Sequence, residues 1–117
     1  MLFRSDKRKI IGVWRGGWPD EKKPSYEIVI TAEKITCKDL KREESLGEGT
    51  YQLDPKTKTM DATRTVDPAK GRTYLGIYAL DGDTLNWCSN NGTKERPAEL
   101  VNKPGSDHYL LILKRQK

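Results

Sequence analysis

The hydrophobic and polar residues of this chain alternate in short segments and do not follow a helical period. β-Branched and aromatic residues fill segments of about four to eight positions, which are separated by Gly, Pro, Asp and Asn and recur about every 10 to 15 residues. This pattern is typical of an antiparallel sheet whose strands are joined by turns. It predicts strands at Ile11–Arg15, Tyr26–Ala32, Lys34–Asp39, Gly47–Leu53, Thr59–Val66, Thr73–Leu80, Thr84–Ser89 and His108–Arg115.

We therefore expect an all-β protein with one domain spanning residues 1–117. About eight strands in up-and-down order close into a small antiparallel barrel, which leaves no open sheet edge. A chain of 117 residues suits a single core of this kind. Helix is expected only at the amino terminus, where Ser5 is placed to cap a short turn through Lys9.

Two connections between the predicted strands differ in length. Thr31–Lys34 is short enough for a tight hairpin, whereas residues 89–107 contain no obvious strand, which is unusual in a compact domain. Within that long connection we expect Pro97–Val101 to form a short segment that docks Leu100 on the body of the protein.

The segment LGIYALDGDTLNWC, Leu75–Cys88, has the pattern of a β-hairpin. Asp-Gly is the preferred pair of a two-residue type I′ turn, so the turn is expected at Asp81-Gly82, with Gly76 opposite Trp87. The bulkier, more aromatic face is assigned to the barrel interior, where the missing side chain of Gly76 leaves space for the indole. Cys88 then lies on the opposite face, and a three-residue bulged turn would exchange the two faces.

Charge and composition exclude several classes of protein. The net charge is +5 and the pI is near 9.2, but the basic residues are scattered among 17 acids, so nucleic-acid binding is not expected. No run approaches the roughly 18 apolar residues of a membrane span, and MLFRSDKRKI lacks the apolar middle of a signal peptide. We expect a soluble protein, cytoplasmic in preference to exported unless a leader preceded this segment.

The residue types that carry chemistry are sparse and poorly grouped. His108 is the only histidine and has no serine or cysteine motif beside it, while Asp54 and Asp67 each precede a proline and open turns. Cys37 and Cys88 lack zinc-site spacing and either form one disulfide or remain free thiols. We expect a non-enzymatic protein without metal or cofactor; an enzyme would need His108 close to Cys88 or to an aspartate in a cleft.

The first and last predicted strands carry a pair of residues suited to closing one end of the barrel. Gly12 and Trp14 form a GxW on the first strand, and the last strand ends in Lys114 and Arg115. Because closure brings these strands together, a terminal guanidinium, that of Arg115, is expected to lie across the Trp14 indole. Such a cation–π contact is worth on the order of 0.5–2 kcal/mol.

From Gly49 to Arg115 the chain resembles a lipocalin-like domain family of unknown function that is abundant in planctomycetes and related bacteria. The resemblance is carried by GTYQLDP at Gly49–Pro55, Met60-Asp61, GIYALDGDTLNWC at Gly76–Cys88, Arg96-Pro97 and the closing LLILKR. It covers more than half of the chain. It implies a lipocalin-like β-barrel and, by analogy, an internal cavity, although the family itself has no established activity.

The same resemblance singles out candidate binding residues. Asp61 and Arg96 are the polar family positions least explained by turn chemistry. Either Arg96 ties the long connection to the barrel, through backbone carbonyls or a carboxylate such as Asp61, or it lies at the open mouth and offers its planar fork to an anionic ligand. Tyr51, Tyr78 and Trp87 are expected to line the cavity, unless side chains fill the interior completely.

Two functions follow from this sequence. The first is the binding of a small apolar or amphipathic molecule inside the barrel, with Tyr51, Asp61, Tyr78, Trp87 and Arg96 as ligand-binding residues. The second is a protein-interaction or inhibitor module with a filled barrel, acting through exposed loops such as WPDEKKPS and SNNGTKERP.

Overall fold

A computed structural model of the protein describes residues 6–19, 22–67, 69–90, 95–100 and 108–116. These residues contain one short helix and nine strands: α1 Asp6–Lys9, β1 Gly12–Gly17, β2 Tyr26–Ile30, β3 Ile35–Asp39, β4 Glu44–Asp54, β5 Thr59–Arg64, β6 Thr73–Tyr74, β7 Gly76–Asp81, β8 Thr84–Asn90 and β9 His108–Arg115. The amino-terminal turn is confirmed as α1, while Ser5, its expected cap, lies outside the described residues. Within the described ranges, no helix is long and apolar enough to cross a membrane.

The strands form one antiparallel sheet that closes on itself. Their order is β4-β3-β2-β1-β9-β8-β7-β5-β6, and an additional pairing of β4 with β5 completes the circle. β6 and β7 follow each other along β5 in one register, with Tyr74 opposite Ala62 and Ile77 opposite Thr59, so together they occupy one position in the barrel. The predicted eight-strand antiparallel barrel is confirmed.

The predicted strands other than His108–Arg115 differ from the observed ones in their bounds, and the two largest differences concern β4 and the β6–β7 segment. β4 begins at Glu44, before the predicted start at Gly47. The single strand predicted at Thr73–Leu80 is interrupted at Leu75, which separates β6 from β7. The interruption has a physical cause. The backbone N–H groups of Leu75 and Gly76 donate to the side chains of Asn90 and Asp61, and not to backbone carbonyls of the neighbouring strands.

The turn between β7 and β8 is displaced by one residue from its predicted place. Asp81 pairs with Thr84, so the turn residues are Gly82 and Asp83, and the prediction of a turn at Asp81-Gly82 is wrong. Gly82 has a φ of 59°, whereas Asp83 does not have a positive φ. These signs fit a type II′ turn, which requires glycine at its first central position, and not the type I′ turn expected from the Asp-Gly pair.

The faces of this hairpin are nevertheless as predicted. Tyr78, and not Gly76, is directly opposite Trp87, a shift of two residues in the pairing that leaves every side chain on the same face. Trp87 is buried in the barrel interior. Cys88, the next residue along β8, is on the outer face and is also buried. Both Cys37 and Cys88 are free thiols.

The inward side chains of the strands make one core, which also contains Ile10, the residue that follows α1. The residues with essentially no exposed surface include Ile10, Trp14, Ile28, Ile30, Met60, Tyr78, Leu85 and Leu113. Thr31–Lys34 forms the predicted tight connection, in which the Thr31 N–H donates to the Lys34 carbonyl at 2.9 Å.

The described part of the β8–β9 connection docks differently from the prediction. Pro97 is almost completely buried, whereas Leu100 is only half-buried, so the proline is the residue that anchors this segment. Val101, the predicted end of the docked segment, lies outside the described residues.

Candidate functional site

Asp61 and Arg96 form a bidentate ion pair beside the interruption between β6 and β7. Arg96 Nη1 donates to Asp61 Oδ1 at 2.5 Å and Nη2 donates to Oδ2 at 3.0 Å. The same Nη1 donates to the Gly76 carbonyl at 2.8 Å, and the Gly76 N–H donates to Asp61 Oδ1 at 3.1 Å. The pair therefore supplies hydrogen bonds that the interrupted strand does not receive from its neighbour.

This arrangement is the structural alternative foreseen for Arg96. Its fork is occupied by a carboxylate and a backbone carbonyl, and the pairing with Asp61 raises the pKa of the Arg96 guanidinium. Arg96 thus ties the segment that carries Pro97 to the barrel wall. Asp61 and Arg96 thus satisfy each other, and neither is among the residues that line the cavity described below; their role in ligand binding stays a prediction from the sequence.

Trp87 and Asn90 complete the same junction from β8. Trp87 Nε1 donates to the Met60 carbonyl at 3.1 Å, and Asn90 Oδ1 accepts the Leu75 N–H at 3.1 Å. The indole lies over Gly76, where an added Cβ would be 2.6 Å from Trp87 Nε1. The close approach of indole and glycine foreseen from the sequence is present, although the two residues are diagonal and not directly opposite.

One end of the barrel is closed by α1. The Tyr78 hydroxyl donates to Asp6 Oδ2 at 2.6 Å, and Lys58 Nζ donates to the same oxygen at 2.9 Å. These hydrogen bonds, that from Tyr78 first, lower the pKa of Asp6 against the effect of its burial. Burial, followed by the bond to Asp6, raises the pKa of Tyr78. Nearby, the Tyr51 hydroxyl donates to the Thr31 carbonyl at 2.6 Å.

Arg115 joins the same end to the first strand. Its guanidinium carbon lies 4.4 Å from the centre of the Trp14 ring, which is the predicted cation–π contact. The guanidinium also donates to the carbonyls of Ile11 and Lys9, while Trp14 Nε1 donates to the Ile10 carbonyl at 2.8 Å. Gly12 leaves room for this contact, because an added Cβ would lie 2.8 Å from Arg115 Nη1.

The other end of the barrel holds a cavity of about 450 Å³. Most of its lining surface is apolar, and it is open to solvent. Pockets of about 300–1,000 Å³ are the usual size for small-molecule ligands. Its walls are formed by residues of β2–β6 and β8–β9, with Trp87 towards the interior. The apolar and aromatic members include Ile28, Ile35, Ala62, Tyr74, Trp87, Tyr109 and Leu111.

Arg64 brings a positive charge to this cavity. Its Nη1 donates to the Leu46 carbonyl at 2.9 Å and its Nε donates to the Val66 carbonyl at 3.4 Å. Among the described residues, no carboxylate lies within salt-bridge distance of Arg64. The guanidinium crosses Gly47, where an added Cβ would lie 2.4 Å from Arg64 Nη1.

Cys37 also lines the cavity but is not a nucleophile. Burial, followed by the nearby Asp39 carboxylate, raises the pKa of its thiol to about 11, while Arg64 opposes the shift. The thiol is therefore protonated at neutral pH and adds polarizable apolar surface. No group of three or more His, Cys, Asp or Glu side chains placed to hold a metal occurs in the described ranges. The His108 side chain lies outside them.

Only one of the five residues expected to bind a ligand lines the cavity. Trp87 does, whereas Asp61 and Arg96 form the junction pair. Tyr51 and Tyr78 belong to the core at the closed end, where their hydroxyls are bound to Thr31 and Asp6. Both point into the barrel as expected, but α1 seals the end that they occupy, and their role in ligand binding stays a prediction.

The sequence analysis did not single out two glycines that shape the open end. Gly47 and Gly49 occupy inward positions of β4, opposite Cys37 and Ile35 of β3. The signal was the alternation in LGEGT, which places two residues without side chains on one face of a strand. A Cβ at Gly47 would collide with the Arg64 guanidinium and one at Gly49 would collide with the Thr63 carbonyl, so these glycines permit the close approach of Arg64 and of the β5 backbone.

The fold and the cavity define a small closed antiparallel β-barrel with one end sealed by a helix and the other end hollow. Comparisons of the chain with protein-family models, with curated proteins and with solved structures give no match. The class of the protein therefore rests on its own architecture, and the resemblance to the lipocalin-like family of unknown function stays a prediction from the sequence.

Proposed function

We propose that this protein is a lipocalin-like, non-enzymatic binding protein that holds a small apolar or amphipathic molecule in the open end of its barrel. The observation that supports the proposal is the cavity of about 450 Å³ with apolar and aromatic walls. A hollow of this kind is unusual in a core, since protein interiors are packed nearly without voids. A soluble, cytoplasmic location stays a prediction from the sequence.

Burial of the ligand's apolar surface is the proposed driving force. Removal of apolar area from water contributes about 25 cal/mol per Å², so a ligand that covers the indole of Trp87 and the side chains of Ile28 and Leu111 gains several kcal/mol before ordering costs. The proposal requires no covalent step. It agrees with the protonated Cys37 thiol.

The alternative of a protein-interaction or inhibitor module carries less support. It expects a filled barrel, whereas the open end is hollow. Parts of the two loops on which it depends, residues 20–21 and 91–94, lie outside the described residues. We therefore give priority to ligand binding.

Titration with a fluorescent fatty acid, followed by displacement with unlabelled fatty acid, tests the proposal. We expect saturable binding that is lost in Cys37→Phe, which fills the cavity, and kept in Thr50→Phe, an exposed position of the neighbouring strand. Circular dichroism establishes that both variants are folded. Absence of saturable binding, or equal binding by both variants, would contradict the proposal.

A further inference from the structure

We propose that the ligand is an amphipathic anion whose acidic group binds to Arg64 while its apolar body lies against Trp87. This inference rests on the proposed function and adds the chemical class of the ligand. The observation behind it is a guanidinium on the cavity wall whose charge is not matched by a carboxylate in the described part of the chain.

The hydrogen bonds of Arg64 orient its guanidinium without neutralising it. Two backbone carbonyls, those of Leu46 and Val66, accept from Nη1 and Nε. A guanidinium has five N–H donors in a planar fork, so two neutral acceptors leave donors on Nη1 and Nη2 for a ligand. A carboxylate, sulfonate or phosphate matches this geometry with two parallel hydrogen bonds.

Three other arginines show the contrast. Arg15, Arg96 and Arg115 are paired with Glu27, Asp61 and Asp83, respectively. Arg64 lines the cavity, and it has only carbonyl partners among the described residues. An arginine fixed by carbonyls at the entrance to an apolar hollow therefore has a charge left for a ligand.

The acidic groups near the cavity do not remove this charge. Asp39 influences the Cys37 thiol, but its carboxylate accepts the backbone N–H groups of Lys41 and Arg42 at 2.9 and 3.1 Å. Glu48 contributes to the lining, yet its register opposite Thr36 places it on the outward face of β4. Among the described residues that line the cavity, Arg64 is therefore the charged side chain directed inward.

Two fluorescent probes with the same aromatic body isolate the role of the acid. Anilinonaphthalenesulfonate carries a sulfonate, whereas N-phenylnaphthylamine lacks it and is neutral. We expect Arg64→Gln to weaken binding of the sulfonate about tenfold, the loss typical of a hydrogen bond to a charged group, while binding of the neutral probe changes less than twofold. Arg64→Lys keeps the charge without the fork and should give an intermediate loss.

Arg8→Gln is the matched control, because Arg8 is exposed in the helix at the sealed end and the variant has the same change in net charge. It should leave the affinity for both probes unchanged. With the unaltered protein, added salt should weaken binding of the sulfonate and not of the neutral probe. Displacement by dodecanoate but not by dodecanol extends the result from sulfonate to carboxylate.

The outcomes separate the two proposals. If both probes bind and Arg64→Gln does not distinguish them, the anion proposal is overturned while ligand binding stands. If neither probe binds, the proposed function itself fails. An equal loss of sulfonate binding in Arg8→Gln would reduce the effect to general charge attraction and would also overturn the assignment to Arg64.

Discussion

Replacement of Asp61 by Asn and of Arg96 by Lys, singly and together, tests whether this pair repairs the interrupted strand. Each partner bonds the other and also bonds the backbone of Gly76. Asp61→Asn keeps an acceptor for the Gly76 N–H but removes the charge. Arg96→Lys keeps the charge but removes the planar fork that bonds two oxygens at once.

The burial of the Arg96–Asp61 pair sets the expected loss of unfolding free energy. The side chains of Arg96 and Asp61 are 34% and 20% exposed, so the pair is screened less than a surface ion pair, which contributes about 0.2–1 kcal/mol. Hydrogen bonds to charged groups contribute about 1.5–3 kcal/mol. We expect each single variant to lose about 2 kcal/mol of unfolding free energy, with a coupling energy of about 1 kcal/mol in the double-mutant cycle.

Urea unfolding of the four proteins measures these quantities, and thermal unfolding should show a loss of about 4 °C per kcal/mol for a domain of this size. Arg42→Lys, at an exposed position in the β3–β4 turn, is the matched control and should be close to neutral. A coupling energy near zero would show that Asp61 and Arg96 do not act together at the interrupted strand. So would an Arg96→Lys protein of unchanged stability that no longer binds the neutral probe.

Three further predictions concern the two ends of the barrel. Asp6→Asn should lower the melting temperature at pH 7 and have less effect at pH 3: the folded-state pKa of Asp6 is lowered, so its stabilisation is present above the unfolded pKa of about 3.9 and is lost as the pH falls through the folded value. A difference that persists undiminished at low pH would count against this bond. Gly76→Ala should cost about 2–3 kcal/mol in urea unfolding, because its Cβ would lie 2.6 Å from Trp87 Nε1 and 2.7 Å from the Met60 carbonyl; a neutral result would mean that the indole approaches less closely. Arg115→Lys should cost about 1–2 kcal/mol by the same assay through loss of the fork above the Trp14 ring, and wild-type stability would show that the contact contributes nothing.

The barrel could be predicted from the sequence because its strands alternate clearly and are separated by turn residues. The inward position of Trp87 followed from the same alternation. The hairpin register could not be predicted in this way, because Gly82 suits both a type I′ turn at Asp81-Gly82 and a type II′ turn at Gly82-Asp83. The pairing of Asp81 with Thr84 and the absence of a positive φ at either aspartate distinguish them. A displacement of two residues in pairing preserves the faces, which explains why the core was predicted correctly despite the error.

The candidate site could be predicted only in part. Tyr51 and Tyr78 point inward as aromatic residues should, but the sequence does not indicate which end of the barrel α1 covers. That depends on long-range bonds such as Tyr78 to Asp6. Gly47 and Gly49 permit the close approach of the Arg64 guanidinium and of the β5 backbone at the open end, and a glycine in a strand does not indicate which neighbour approaches it.

The most direct test of ligand binding in the open end of the barrel is an NMR titration of the protein with N-phenylnaphthylamine, observed at the indole N–H signals of Trp87 and Trp14. Both indoles are buried and hydrogen-bonded, but Trp87 lines the cavity and Trp14 lies at the sealed end. Binding in this cavity predicts a saturable shift of the Trp87 signal with the Trp14 signal unchanged. A saturated titration that leaves Trp87 unmoved, or moves Trp14 equally, would contradict it.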